Sequence, residues 1–128
     1  MNHLLPGTVV SVPFGPFLHF GLVSDRRGSG TPYIISCSGR AGQVVEETAH
    51  EFANGGDIKV HGYPGSLSPH EVIQRARRRM GTKYDLFKWN CEHFARWAHD
   101  LKPESPQLQA TVAVCLLLLG SFWLARKA

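Results

Sequence analysis

The sequence predicts an α+β domain, in which an antiparallel sheet packs against helices, followed by a C-terminal transmembrane helix. Three observations support this fold class. Short apolar runs separated by glycine and proline fill the first half of the chain, as is typical of strands joined by turns. Two segments with helix-capping signals follow. The chain then carries a long apolar run without charge.

Five apolar runs predict the strands of the sheet. They cover residues 8–12, 18–24, 33–38, 43–46 and 57–61, and a helical turn is expected within residues 47–53. We expect the first strand to end at Pro13 and the second at the turn-rich segment 25–30. Because the connections are rich in glycine, these strands predict an antiparallel meander.

The first long helix is bracketed by residues that favour helix ends. Ser68 is a suitable N-cap, Pro69 fits the first helical position, and Glu71 can complete a capping box. Gly81 is the expected C-cap. Four arginines follow one another closely in this helix and form either a solvated face or a contact with anionic lipid headgroups; they are Arg75, Arg77, Arg78 and Arg79.

The segment around Cys91 predicts a nucleophile at the start of a second helix. Asn90 is a favoured N-cap, and the apolar positions beyond it fall on one helix face: Phe94, Trp97, Ala98 and Leu101. A helix N-terminus presents free N–H donors and partial positive charge, which lower the pKa of a thiol. We therefore expect a reactive thiolate directed at the packed side of the helix. The alternative is a buried cysteine that serves only as a small apolar side chain.

A nucleophilic thiol needs a neighbouring base, and the chain offers 7 histidines. His93 is two residues from Cys91 and would point to another side of the helix, so it is better suited to ordering the site. His19 is the histidine that lies within an apolar strand. It is either the base or a buried polar group with satisfied hydrogen bonds.

Composition limits the classes of function. Hydrophobic residues make up 43% and charged residues 19% of the 128 residues, which suits one globular domain. The net charge of +4 lies largely in one helix, so nucleic-acid binding is not needed to explain it. The cysteines form neither a metal-ligand pair nor a disulfide framework; they are Cys37, Cys91 and Cys115. These features predict free thiols in a reducing compartment, no metal or organic cofactor and no nucleic-acid partner.

The charge-free run covers Leu108–Ala125. As a helix it would extend about 27 Å, close to the thickness of the hydrocarbon core of a bilayer. Arg126 and Lys127 close the run, and the proline-rich segment 103–107 precedes it as a linker. The alternative is a buried core helix, but a domain of this size can hardly surround so apolar a segment. The sequence therefore predicts a C-terminal membrane anchor over residues 108–128.

The run Asn90–Phe94, Asn-Cys-Glu-His-Phe, resembles the signature of the lecithin:retinol acyltransferase-like and H-rev107-like family. The segments Gly7–Val10 and His19–Val23 match the order in which that family places its first strand and its base histidine, and the resemblance extends over residues 6–100. It implies a circularly permuted papain-like (NlpC-type) fold. It also implies roles for individual residues: Cys91 as nucleophile, His19 as base, and Asn90, Glu92 and His93 as supports of the site.

The third catalytic position departs from the family pattern. Such enzymes usually carry a polar residue, often histidine, in the strand after the base, and alignment on Ser38-Gly39 places Ser36 there. A serine can accept a hydrogen bond from imidazole, but it stabilises the imidazolium less than a carboxylate does. Three possibilities remain open: a slower enzyme, an orienting group supplied from elsewhere, or a domain that has lost catalysis.

The resemblance predicts a membrane-anchored, cysteine-dependent acyl-transfer enzyme of the phospholipase A or acyltransferase type, working through a thioester. The catalytic domain would cover residues 1–102 and lie on the cytoplasmic side of a single-pass C-terminal anchor. Its partners would be a phospholipid or another acylated amphiphile, and the membrane. Two alternatives stay open: an NlpC-like thiol peptidase or amidase, and a catalytically weak membrane-bound interaction module.

Overall fold

The computed structural model describes residues 3–127, and the side chains of residues 3–120. Five strands and four helices follow one another in the order β1 (Val9–Phe14), β2 (Phe17–Gly28), β3 (Thr31–Ser38), β4 (Gln43–Thr48), α1 (Ala49–Ala53), β5 (Lys59–Gly62), α2 (Pro69–Arg78), α3 (Cys91–Ala98) and α4 (Pro106–Lys127).

The strands form one antiparallel sheet with the order β4-β3-β2-β1-β5. β1 to β4 make the predicted meander, and β5 returns to pair with β1 on its free side. The α+β class with an antiparallel sheet is therefore confirmed. Successive residues of a strand face opposite sides of the sheet, so the sheet carries a core on each face.

The larger core lies between the sheet and the helices α2 and α3. It is built from alternate strand residues such as Leu22 and Ile35, together with Val72, Ile73 and Phe94. The smaller core lies on the other face, where Phe52 of α1 covers the remaining strand residues, Val10, Val12, Val23 and Ile34. A capping box between Thr48 and Glu51 starts α1 directly after β4. This short helix therefore places Phe52 over the middle of the sheet.

Most predicted strand ends differ from the structure by a few residues, and the ends of β1 and β2 were wrong at predicted breaks. β1 continues through Pro13 to Phe14, because β5 pairs only with Val9–Ser11. Beyond Ser11 that side of β1 is an edge, where the missing N–H of proline costs no ladder bond. β2 runs on to Gly28, and the turn is confined to Ser29 and Gly30, which have φ of 50° and 85°. Positive φ at both turn residues matches the twist of the flanking strands, so both strands can stay paired up to the turn.

The helix α2 begins as predicted and ends earlier than predicted. Ser68 caps it through the N–H of Glu71, with Pro69 in the first turn. Arg79, not Gly81, is the C-cap. Gly81, at φ 81°, lies in the following turn, where its N–H donates to the carbonyl of Val44 at 3.0 Å. The glycine therefore turns the chain back toward β4 and does not end the helix itself.

Two arginines of α2 and its C-cap, Arg79, have partners within the domain. Arg77 pairs with Asp25 at 2.6 Å and with Glu46 at 3.1 Å. Arg75 donates to the carbonyl of Trp97 at 2.7 Å, and both Arg75 and Arg79 lie over the Trp97 ring, at 4.3 and 4.6 Å from its centroid. These side chains hold α2 against β4 and α3, which is a third role beside the solvated face and the lipid contact.

The C-terminal segment forms the long helix α4. Within the residues that the structure describes, none of the helices combines the length and the apolar character that crossing a bilayer requires. The predicted anchor is therefore not confirmed. Part of that prediction, the side chains of residues 121–127 and all of residue 128, lies outside the described residues.

Candidate active site

Cys91 is the first residue of α3, and Asn90 caps the helix before it. The Asn90 side-chain oxygen accepts from the backbone N–H of Glu92 at 3.0 Å and of His93 at 3.2 Å. His93 completes the box, since its Nδ1 accepts from the backbone N–H of Asn90 at 3.0 Å. The Asn90 amide also donates to the carbonyl of Leu86 at 3.0 Å. Asn90 and His93 therefore fix the turn that presents Cys91.

The thiol of Cys91 lies against the N-terminal part of β2. Its Sγ donates to the carbonyl of Leu18 at 3.7 Å, and the residue is 7% exposed. The pairing of β2 with β3 begins only at Leu22 and Ile35. The carbonyl that meets the thiol therefore belongs to the stretch of β2 before that pairing, one residue before His19.

His19 lies on the face of the sheet that α1 covers. Its ring is 4.9 Å from the Phe52 ring, measured between centroids. Its Nε2 lies 3.4 Å from the hydroxyl of Ser36, which is fully buried in the neighbouring strand β3. At this distance the hydrogen bond is weak. The sheet thus brings the predicted base and the predicted third residue together, although 17 positions separate them in the chain.

Burial shifts the pKa values of both reactive groups. Burial first, and the charge of Arg40 second, lower the pKa of His19 to about 4. Burial raises the pKa of the Cys91 thiol to about 11, against the opposing effect of backbone N–H groups of Phe20, Glu92 and Cys91 itself. The N–H groups at the start of α3 do lower the thiol pKa as expected, but burial and the negative charge of Glu92 outweigh them, so the expected thiolate is not the resting form. Removal from water destabilises the thiolate by more free energy than the N–H groups at the start of α3 restore.

Both groups are therefore neutral in the resting site. The pKa of the Cys91 thiol lies far above that of the His19 imidazole, so transfer of the proton from thiol to imidazole is unfavourable in the resting site. The neutral pair prevails, and this arrangement is suited to a proton transfer that accompanies nucleophilic attack.

Cys91 and His19 line the same cavity, which has a volume of about 230 Å³. Most of its wall is apolar and comes from Phe14, Phe17, Leu18, Phe52, Leu86 and Leu108. Arg40 is the charged side chain among the described wall residues, and it is bound to Glu47 at 3.2 Å. Such a cavity can take an apolar chain with a reactive polar group at the cysteine.

Glu92 binds the C-terminal segment. Its Oε1 accepts from the hydroxyl of Ser105 at 2.7 Å and from the backbone N–H of Gln107 at 3.1 Å. Ser105 and Gln107 also line the cavity. The segment predicted to be a linker is thus bound to the domain. No periodicity or motif in this proline-rich stretch marks these residues, so the sequence analysis missed them.

The second buried cysteine, Cys37, does not line the cavity. The Cys37 Sγ donates to the carbonyl of Trp89 at 3.3 Å, and burial raises its pKa to about 12. Within the part of the chain that the structure describes, no three histidine, cysteine, aspartate or glutamate side chains are grouped to hold a metal ion.

Comparison with known proteins gives one match. The family model described as lecithin retinol acyltransferase matches residues 3–102, which include β1 to α3 and every predicted site residue. A comparison with curated proteins finds no match.

Proposed function

The chain belongs to the lecithin retinol acyltransferase family, and from that premise we propose that it is a cysteine-dependent acyl-transfer enzyme of the phospholipase A or acyltransferase type. The family consists of NlpC-like thiol enzymes, for which an acyltransferase or phospholipase activity is expected. The observation that carries the proposal is the shared cavity, whose largely apolar wall includes both Cys91 and His19.

The first half of the reaction transfers the acyl group to the cysteine. His19 accepts the proton of Cys91 while Sγ attacks the carbonyl carbon of an ester. The oxygen of that carbonyl becomes negative, and the backbone N–H of Cys91, which the Asn90 side chain does not bind, would stabilise it. The C–O ester bond then breaks, the imidazolium returns its proton to the departing alcohol, and a thioester on Cys91 remains.

The second half of the reaction removes the acyl group from Cys91. Water or the hydroxyl or amine of an acceptor attacks the thioester, His19 takes the proton of the attacking group, and the thiol is regenerated. Water as acceptor gives a phospholipase, and a lipid acceptor gives an acyltransferase. The hydroxyl of Ser36, at 3.4 Å, orients the His19 ring in both halves. Because serine is uncharged, it stabilises the imidazolium less than a carboxylate would.

We propose an acylated lipid at a membrane as the substrate. Apolar side chains at the cavity are exposed, with Phe14 56% and Leu86 47% exposed, and the adjacent Phe87 is 68% exposed. In α4 the side chains of Leu116–Leu119 are 63–72% exposed. Such apolar surface favours contact with lipid. We therefore propose that α4 anchors the chain, with the catalytic domain on the cytoplasmic side, where its free thiols persist.

Intact mass after incubation with a phospholipid tests the reaction directly. We expect the full-length protein in detergent to gain the mass of one acyl group, removable by hydroxylamine as a thioester is. Cys91→Ala should gain none, and Cys37→Ala should gain as much as the wild type. His19→Ala should form the adduct about 100 times more slowly, because the general base is missing.

A mass gain that survives in Cys91→Ala would contradict the proposed nucleophile. No gain on the wild type, with Cys91 still labelled by a thiol reagent, would move the assignment to an amide substrate. A catalytically weak interaction module is the second candidate, favoured by the raised pKa of the thiol and the uncharged Ser36. In that case neither the lipid nor a peptide substrate leaves an adduct.

A further inference from the structure

The cavity wall includes residues that lie beyond the family match. That match ends at residue 102, whereas Ser105, Gln107 and Leu108 line the cavity. Ser105 is only 1% exposed, although its segment has the composition of a free linker. The start of α4 is therefore built into the domain beside the site.

The amide of Gln107 binds both backbone groups of Leu18. Its Oε1 accepts from the Leu18 N–H at 3.0 Å, and its Nε2 donates to the Leu18 carbonyl at 2.9 Å. These are the two bonds that a neighbouring strand would supply. Gln107 supplies them on the stretch of β2 that precedes its pairing with β3. Glu92 holds Gln107 in place by accepting its backbone N–H at 3.1 Å.

The Leu18 peptide connects Gln107 to both reactive groups. Its carbonyl accepts from Cys91 as well as from Gln107, and the next residue along the strand is His19. We propose that Gln107 is a positioning residue of the active site, which holds the Leu18 peptide so that the thiol and the imidazole keep their relative placement. This inference rests on the proposed acyl-transfer function. It makes the first turn of α4 part of the site, in addition to the contact of α4 with lipid.

One substitution tests whether the hydrogen bond donated by the Gln107 amide matters, as opposed to the space that the side chain fills. Gln107→Glu keeps the size of the side chain and an oxygen for the Leu18 N–H, but it places a second oxygen against the Leu18 carbonyl. Gln109→Glu is the matched control, since Gln109 is exposed on the same helix. We expect Gln107→Glu to acylate Cys91 about 10 to 100 times more slowly at about pH 7, because small misplacements of reacting groups cost that much. The control should keep the wild-type rate.

The pH dependence provides a readout that a purely structural role would not change. The new carboxyl would face Glu92 of α3, the Leu18 carbonyl of β2, and His19, Cys91 and Arg40 across the cavity. The nearby negative charge and the carbonyl oxygen favour its protonated form, which can again donate to Leu18. The rate of Gln107→Glu relative to wild type should therefore rise between about pH 7 and about pH 5. His19 is still a neutral base there.

Three results would overturn the proposal: a wild-type rate in Gln107→Glu, an equal loss in Gln109→Glu, or a loss that is the same at both pH values. If Gln107→Glu does not fold, Gln107→Met serves instead, and a wild-type rate in it also rejects the proposal. If the wild type forms no acyl adduct, the proposed function fails separately. Iodoacetamide labelling of Cys91 then tests Gln107 without a substrate: it should slow in Gln107→Glu alone, and unchanged labelling overturns the role.

Discussion

At the scale of single residues, burial determines the protonation state of the two candidate reactive groups in the resting site. Cys91 is buried against β2, and the pKa of its thiol rises to about 11. His19 is buried beside Phe52, and its pKa falls to about 4. A thiolate–imidazolium pair would need stronger stabilisation than the Ser36 hydroxyl gives at 3.4 Å. In the proposed reaction we therefore expect the proton to move only when a substrate carbonyl is present to receive the sulfur.

The pH dependence of acylation follows from these two shifts. His19 is a base only when neutral, so the rate of Cys91 acylation should rise as pH increases through about 4 and then stay level from about pH 6 to about pH 9. The thiol keeps its proton over that range because its pKa is about 11. Rapid-mixing mass spectrometry at each pH measures this rate. In His19→Ala the rate should instead rise steadily with pH, as the thiolate fraction grows. The same steady rise in the wild type would contradict the general-base role.

At the scale of elements, the site depends on how closely α1 approaches the sheet. Gly21 lies in β2 two residues after His19, beneath Phe52 of α1. A Cβ at Gly21 would lie 2.5 Å from Ile34 Cγ2 and 2.9 Å from Phe52 Cε2, closer than real contacts allow. The absence of a side chain at Gly21 therefore lets Phe52 pack on the strand and reach the His19 ring at 4.9 Å.

Gly21→Ala should lower the free energy of unfolding by about 1–3 kcal/mol, because the added methyl overpacks this core. It should also raise the pKa of His19 toward its ordinary value, since a displaced Phe52 no longer shields the ring from water. Thermal unfolding measures the first effect, and the lower limb of the pH–rate profile measures the second. The control is Gly120→Ala, where an added methyl meets no atom within 4 Å. If the two variants were equally stable, α1 would be able to move away from the sheet without lowering the free energy of unfolding.

At the scale of the whole molecule, the exposed apolar surface connects the cavity to α4. Gln107 and Leu108 line the cavity, and the same helix continues into the exposed leucines 116–119. The proposed substrate cavity is therefore continuous with the first turn of the proposed anchor. A chain held there would encounter lipid at a high local concentration.

Charges placed in α4 should release the protein from membranes. We expect wild-type protein to float with phospholipid vesicles in a density gradient, and Leu117→Lys with Leu118→Lys to remain at the bottom. Each lysine costs about 2.5–3.5 kcal/mol at the centre of a membrane helix. Met80→Lys, at an exposed position just after the C-cap of α2, is the control and should float. Flotation of the double variant would show that another surface binds the membrane.

Local chemistry in the sequence determined most of the elements, whereas the candidate reactive residues, Cys91 and His19, were singled out with the help of the family resemblance. Alternating apolar residues gave the strands, and the caps at Ser68 and Asn90 gave the helix starts, because these signals act within a few residues. Only the tertiary structure decided the environment of the site. Three features of the site depend on groups that are distant in the chain. They are the raised pKa of the Cys91 thiol, the contact of His19 with Ser36 and the hydrogen bonds of Gln107 to Leu18. Burial and hydrogen bonding at these positions are properties of the packed fold, and no pattern of neighbouring residues carries them.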